Sequence, residues 1–359
     1  MIIKSGVSVI GESHKGSEDG VCQDSHFYRE KDGMVIAAVA DGLGSSRHSD
    51  VASQEAAESV VHFCIENVQS DMNASNILEI MRKAFDEAQF NVERKARKKG
   101  YELDECDTTL CLAVFCGGRL FWGQAGDSGM IAFRSDGSFE KVVHPEDGAN
   151  NEGLVYPLCY KDRWKFGEYS HLARSVLLVT DGVWNILAPP LLKDQSYELD
   201  NATLNFFMNH PALERLEQEQ LDELLNKKIT EIEPQRVNYD DKTMVLLIDT
   251  EVPVSKQSSG YYTWPSYGEW EALRCAQLAK LYPDEAIPKL SDREEVSLPD
   301  HSNVAMSNGK PSSPSSRSPS QIVETLGVHV PDRMCREVKK SVRKVKKVVS
   351  EWPHNKNEL

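Results

Sequence analysis

No apolar run in this chain approaches the roughly 20 residues that a membrane-spanning helix needs. The start, Met1 to Ile10, alternates like a strand and is too short and too polar for a secretory leader. The eight cysteines (22, 64, 106, 111, 116, 159, 275 and 335) are scattered, and no two form a C-x-x-C pair. That argues against a zinc knuckle or a redox dithiol and reads as reduced thiols, mostly core residues, in a cytoplasmic protein. Positive charge is in deficit: 41 Lys and Arg against 56 Asp and Glu leave a formal charge of -15. This balance argues against general nucleic-acid binding by the whole molecule and fits a soluble protein. Internal repeats are absent. So is a Gly-x-Ser-x-Gly elbow, which argues against Ser45 or Ser46 as a nucleophile.

What the chain does have is a set of acidic residues at strand ends. Val35 to Ala40 is a short unbroken apolar run leading into Asp41-Gly42-Leu43-Gly44. Such a run suits a strand buried on both faces. It leaves Asp41 at a rigid end and Gly42 where the backbone can approach a ligand closely. One Asp-Gly after a strand is usually only a turn. Here the pattern recurs: Val176 to Thr180 leads into Asp181-Gly182, Phe121 to Gly126 into Asp127-Ser128, and Asp240-Asp241 stands before the run Thr243 to Ile248. Four acidic strand ends in one domain-sized piece are hard to read as four independent turns.

The 359 residues suffice for one large or two modest domains. Strands are expected over residues 1–10, Cys22 to Tyr28, Met34 to Ala40, Thr108 to Phe115, Leu120 to Gln124, Met130 to Phe133, Ser175 to Thr180 and Met244 to Ile248. Gly117-Gly118 reads as a hairpin turn. Helical spacing spans Asp50 to Gln69, capped by Ser49 or Asp50, and Ala74 to about Lys98, ended by Gly100. Residues 137–171 read as a loop-rich flap, and 183–232 as helical with Leu213, Leu216, Leu221, Leu224, Leu225 and Ile229 on the apolar face. Strands outnumber any βαβ alternation, so the expected class is α+β: a central antiparallel β-sandwich flanked by α-helices, with a C-terminal extension. The divisions are a catalytic-type domain over 1–250, an aromatic and helical extension over 251–298, a Ser/Pro-rich linker over 299–320 read as disordered, and a basic amphipathic tail over 321–359.

Clustered Asp carboxylates with few His or Cys partners select hard cations, and Mg²⁺ or Mn²⁺ takes oxygen ligands while keeping several waters. Two such ions about 3.5–4 Å apart hold and acidify a bridging water and clamp phosphoryl oxygens. Asp41 is the candidate shared ligand. Asp181 and Asp240 complete one ion's shell, and the Gly42 carbonyl with Asp24, through waters, holds the other.

Gln23-Asp24-Ser25, Asp41-Gly42-x-Gly44, Thr108-Thr109-Leu110, Gly126-Asp127-Ser128, Thr180-Asp181-Gly182-Val183-Trp184 and Asp240-Asp241-Lys242-Thr243 resemble, in order and approximate spacing, the motifs of the PP2C (PPM) serine/threonine phosphatases. With the Ser13-His14 and Cys22-Gln23-Asp24 opening, the set looks like the bacterial branch. The resemblance implies a PP2C-like fold and metal-dependent hydrolysis of phosphoserine and phosphothreonine on proteins by a metal-bridging hydroxide. It implies Asp41, Gly42, Asp181 and Asp240 as the two-metal site, Asp127 as ligand of a third ion and Asp24 as an outer group, so Asp41, Asp181, Asp240 and Asp24 carry the catalysis. The expected partner is a phosphoprotein made by a Ser/Thr kinase, and the expected state a monomer. The alternative is a catalytically weak PP2C-like binding or scaffold module acting through its tail.

The sequence departs from that family pattern in places. The Arg that grips the substrate phosphate is missing before Asp24, and His14 or Lys15 takes its place as substrate-binding candidate. Gln23 stands where Glu is often found, which implies weaker affinity for the second ion. Gly129 replaces an Arg, a matter of packing more than chemistry. Asp241 stands where Asn is common and reads as a turn residue. Arg47 and His48 read as solvated loop residues near the mouth of the site. The basic stripe from Met334 to Trp352 has three readings: an amphipathic helix on an acidic membrane surface, a tether to nucleic acid or an acidic partner, or a solvated tail.

Overall fold

The structure, a computed structural model, describes residues 1–15, 20–149, 154–193, 195–236 and 240–281. All of these belong to one unit, Met1–Asp292. In chain order they form β1 (Ile2–Val9), a single turn α1 (Glu12–Lys15), β2 (Ser25–Lys31), β3 (Met34–Ala40), α2 (Ser49–Asn67) and α3 (Ala74–Lys99). Next come β4 (Leu110–Cys116), β5 (Arg119–Ala125), β6 (Gly129–Arg134), β7 (Phe139–Val143), β8 (Lys165–Glu168) and β9 (Ala173–Val179). The remainder is α4 (Asp181–Leu187), α5 (Asn201–Asn209), α6 (Gln218–Arg236), β10 (Lys242–Asp249), α7 (Ser259–Tyr262) and α8 (Tyr267–Leu281). Two five-stranded sheets, ordered β1-β10-β9-β6-β7 and β2-β3-β4-β5-β8, pair antiparallel throughout. The α+β sandwich is the architecture expected from the sequence.

β3 shows why the apolar runs are unbroken. Val35, Ala37 and Val39 face the layer between the sheets, with Phe115, Met130, Leu178 and Val245. Met34, Ile36, Ala38 and Ala40 face the opposite way, onto α2 and α3 with Val60, Met81 and Phe85. Each face of a strand alternates, so a strand covered on both sides needs apolar residues at every position. α4, α5 and α6 cover the other sheet in the same manner through Trp184, Phe207, Leu225 and Ile229.

Three local expectations are corrected. Residues 137–171 are not loop throughout: β7 and β8 lie there, as the outermost strands of their sheets. Both are short and carry charges (Phe139-Glu-Lys-Val-Val and Lys165-Phe-Gly-Glu), as edge strands do, so they lack a buried strand's apolar run. The cap of α2 is His48, without a side-chain hydrogen bond, and Ser49 is buried inside the first turn. β2 starts at Ser25 because Gln23 is drawn off the ladder: its N–H donates to Asp241 Oδ2 (2.6 Å) and its carbonyl accepts from Gly42 N (3.2 Å).

Just past residue 250, Tyr261 and Tyr262 pack on the sandwich. Tyr261 Oη accepts from Phe139 N (2.7 Å), and Tyr262 Oη donates to Gly137 O (2.8 Å). The proposed linker at 299–320 and tail at 321–359 lie outside the described residues. Among the described residues no helix is long and apolar enough to cross a membrane.

Candidate functional site

The registers carry the acidic strand ends to one end of the sandwich. Ser25 pairs with Ala40, which sets Asp24 beside Asp41. Met244 pairs with Val179, which sets the start of β10, and Asp240 before it, beside Asp181. Gly129 also pairs with Val179, which brings in the β5–β6 turn with Asp127.

Hydrogen bonds hold the Asp41 backbone and the Asp24 side chain. Asp41 N donates to Thr109 Oγ1 (2.9 Å), while Asp41 O accepts from Thr108 Oγ1 (2.9 Å) and Thr109 N (2.8 Å). Thr109 Oγ1 lies 3.1 Å from Ser128 Oγ, next to Asp127. Thr180 Oγ1 donates to Asp24 Oδ2 (2.7 Å) and accepts from Thr243 N (3.0 Å), so one hydroxyl joins both sheets beneath the site. Two glycines are required by close approach. A Cβ on Gly42 would lie 2.6 Å from Gln23 O and 2.8 Å from Ser49 Cβ, and one on Gly182 would lie 1.9 Å from Asp241 O. Gly129 has a packing reason too: its Cβ would lie 2.2 Å from Trp184 Cε3.

The carboxylates act on one another. Burial first, then the charges of Asp24, Asp181, Asp127 and Asp240, push the Asp41 carboxyl well above the usual range. Asp24 is raised by burial, against the Thr180 hydrogen bond, and further by Asp241, Asp181 and Asp240. Asp181 rises by burial and the Asp240 charge; the hydrogen bond to Asp41 opposes the rise. Asp127 is pushed up to about 7, by burial and then by Asp181. A concentration of desolvated like charge of this kind favours a bound cation.

The donors are all oxygen, which suits an ion that keeps part of its water shell. Among the described residues no three His, Cys, Asp or Glu side chains are grouped so as to hold a metal ion by themselves; an ion here would depend on waters and main-chain oxygen as well. In that sense the residues fit Mg²⁺ or Mn²⁺ better than a cage-bound metal such as structural zinc.

Asp240 is exposed, and its Oδ1 accepts from Asp241 N (2.8 Å). Asp241 is more than the turn residue expected. It is buried at 3 % exposure, accepts from Gly11 N (2.7 Å) and Gln23 N (2.6 Å), and its Oδ2 lies 2.9 Å from His14 Nδ1. That carboxylate ties both ends of the loop after β1 to the start of β10. His14 is therefore turned toward Asp241, and Lys15 Nζ lies 2.5 Å from Glu12 Oε1. His48 stacks on Tyr101 with ring centroids 3.5 Å apart, while Arg47 is exposed.

One group escaped the reading of the sequence. Lys242 is wholly buried and donates through Nζ to Asp240 O (2.6 Å). The signal was parity: 242 shares a strand face with Met244, Leu246 and Ile248, an inward face where a lysine is out of place.

Residues 10–229 match the family model described as Protein phosphatase 2C. A search among curated proteins gave no match. Solved structures that this chain resembles include the S. agalactiae serine/threonine phosphatase (16 % identity, 69 % of this chain and 99 % of that one, TM-score 0.49). Stp1 from Staphylococcus aureus is similar at 13 % identity, with 69 % of this chain and 95 % of that one covered and a TM-score of 0.49. The Mycobacterium tuberculosis phosphatase PstP/Ppp matches at 18 % identity, 69 % and 98 % coverage and a TM-score of 0.44.

Proposed function

Because this chain belongs to the protein phosphatase 2C family, we propose that its acidic cluster binds Mg²⁺ or Mn²⁺ and hydrolyses phosphoserine and phosphothreonine on proteins. The observation that carries the reading is the mutual charge of Asp24, Asp41, Asp127, Asp181 and Asp240, drawn from separate strand ends. Asp41 would be shared by two ions, with Asp181 and Asp240 on one. The Gly42 carbonyl and Asp24, through waters, would serve the other, and Asp127 a third. When bound, the ions supply an acidified water nucleophile and neutralise phosphoryl charge.

The chain's own residues supply position. Thr108 and Thr109 hold the Asp41 backbone from both sides, and Thr180 orients Asp24. Such fixed groups need no reorganisation as charge moves to the phosphoryl oxygens. His14 and Lys15, on the loop that Asp241 anchors, are the groups we assign to the substrate phosphate; the Lys15–Glu12 pair is exposed and gives way cheaply. His14→Ala should raise KM for a phosphopeptide with kcat little changed. We assign the chain to a bacterial cytoplasm where a Ser/Thr kinase supplies the substrate; the described cysteines are all free thiols. We assign a monomer, with the basic tail meeting an acidic partner or membrane surface.

The test is phosphate release from a phosphothreonine peptide. The wild type should require Mn²⁺ and stop in EDTA. Asp41→Asn, folded by circular dichroism, should fall to background. Mn²⁺-dependent turnover in that variant would overturn the assignment.

A further inference from the structure

Lys242 stands on the inward face of β10, toward α4, with 0 % exposure. Its neighbours on that face, Met244, Leu246 and Ile248, are apolar. A buried ammonium is costly unless charge and hydrogen bonds compensate it, and a methionine of similar length would fill the same space. The compensation here is the acidic cluster. Nζ donates to Asp240 O at 2.6 Å. The stem runs past the start of α4, where a Cβ on Gly182 would lie 3.4 Å from Lys242 Cγ. The ammonium charge also acts favourably on Asp181. A fixed cation is thus placed behind two of the residues assigned to one divalent ion.

We propose that Lys242 is a resident counter-ion of the acidic cluster: it holds the site together without metal and lowers its affinity for divalent ions. The inference rests on the metal-site reading given under Proposed function. Like charges in a poorly screened interior repel, so a cation at this place competes with an incoming ion. The same charge offsets the repulsion between Asp181 and Asp240 while no ion is bound. The enzyme would then load only at higher divalent concentration and remain folded when unloaded.

The test uses the full chain with Lys242→Met, which keeps the bulk, and Lys242→Gln, which keeps a donor. Mn²⁺ binding is titrated by calorimetry after EDTA treatment and dialysis, and thermal unfolding is followed without metal. Both variants should bind Mn²⁺ at least about fivefold more tightly and unfold at lower temperature when metal-free. A variant that folds only with Mn²⁺ also supports the role; one that folds under neither condition overturns it. Unchanged or weaker Mn²⁺ binding in both variants refutes the counter-ion. If the wild type binds no Mn²⁺, the metal-site reading fails instead. Metal-free stability then still decides on Lys242, since a Lys242→Met protein as stable as wild type rejects it.

Discussion

Replacing Asp241 by alanine should cost the metal-free protein about 2–4 kcal/mol of unfolding free energy. The carboxylate is 3 % exposed and accepts from two main-chain donors, Gly11 N at 2.7 Å and Gln23 N at 2.6 Å. A buried donor left without a partner costs about 1–3 kcal/mol, so the pair gives roughly 2–6. His14 adds little, since a quarter of its side chain meets solvent. Against this stands a gain: the Asp241 charge repels Asp24, and its removal relieves that repulsion, which holds the net cost to the lower part of that range. Asp241→Asn should cost only about 1–2 kcal/mol, because the amide oxygen still accepts one N–H and the charge is gone. The assay is urea unfolding in EDTA, read by circular dichroism, with the slope compared across the three proteins. An Asp241→Ala protein within about 0.5 kcal/mol of wild type would refute the anchoring role. Equal losses in the two variants would refute the two-donor reasoning.

Other outcomes follow from the same geometry. Gly182→Ala places a methyl 1.9 Å from the Asp241 carbonyl oxygen, a backbone atom that cannot swing away. It should cost about 2–3 kcal/mol and weaken Mn²⁺ binding through displacement of Asp181, measured by thermal unfolding and calorimetry. Asp127, raised to about 7, keeps a proton in the folded chain that the unfolded chain has lost. Stability in EDTA should therefore fall as pH rises from about 4 to 7, by up to about 1.4 kcal/mol per pH unit for this one group. Asp24, Asp41 and Asp181 shift the same way and add to the fall. Melting temperatures that rise over that window would contradict this, and Asp127→Asn should flatten the slope.

Much of the fold was legible because its signals are local. β3 is as long as its apolar run, since burial on both faces removes polar positions. Gly100 ends α3 in the left-handed region at φ 74°, and Gly117-Gly118 turns at φ 56° and 76°. Edge strands β7 and β8 were not legible, because pairing along one side only leaves a short sequence with charges in it. In the site, Asp41 and Asp181 announce themselves by an apolar strand followed by Asp-Gly. Asp241 does not, because its partners Gly11 and Gln23 lie more than 200 positions away and no spacing rule links them. Lys242 was hidden for a related reason: a lysine after two aspartates reads as a solvated turn until the strand face it shares with Met244 is known.

The most direct measurement is anomalous diffraction at the manganese edge from crystals grown with Mn²⁺. Two peaks about 3.5–4 Å apart, with Asp41 touching both and Asp181 and Asp240 on one of them, are the result expected. Manganese bound elsewhere, or side chains of 41, 181 and 240 directed to separate places, would contradict it.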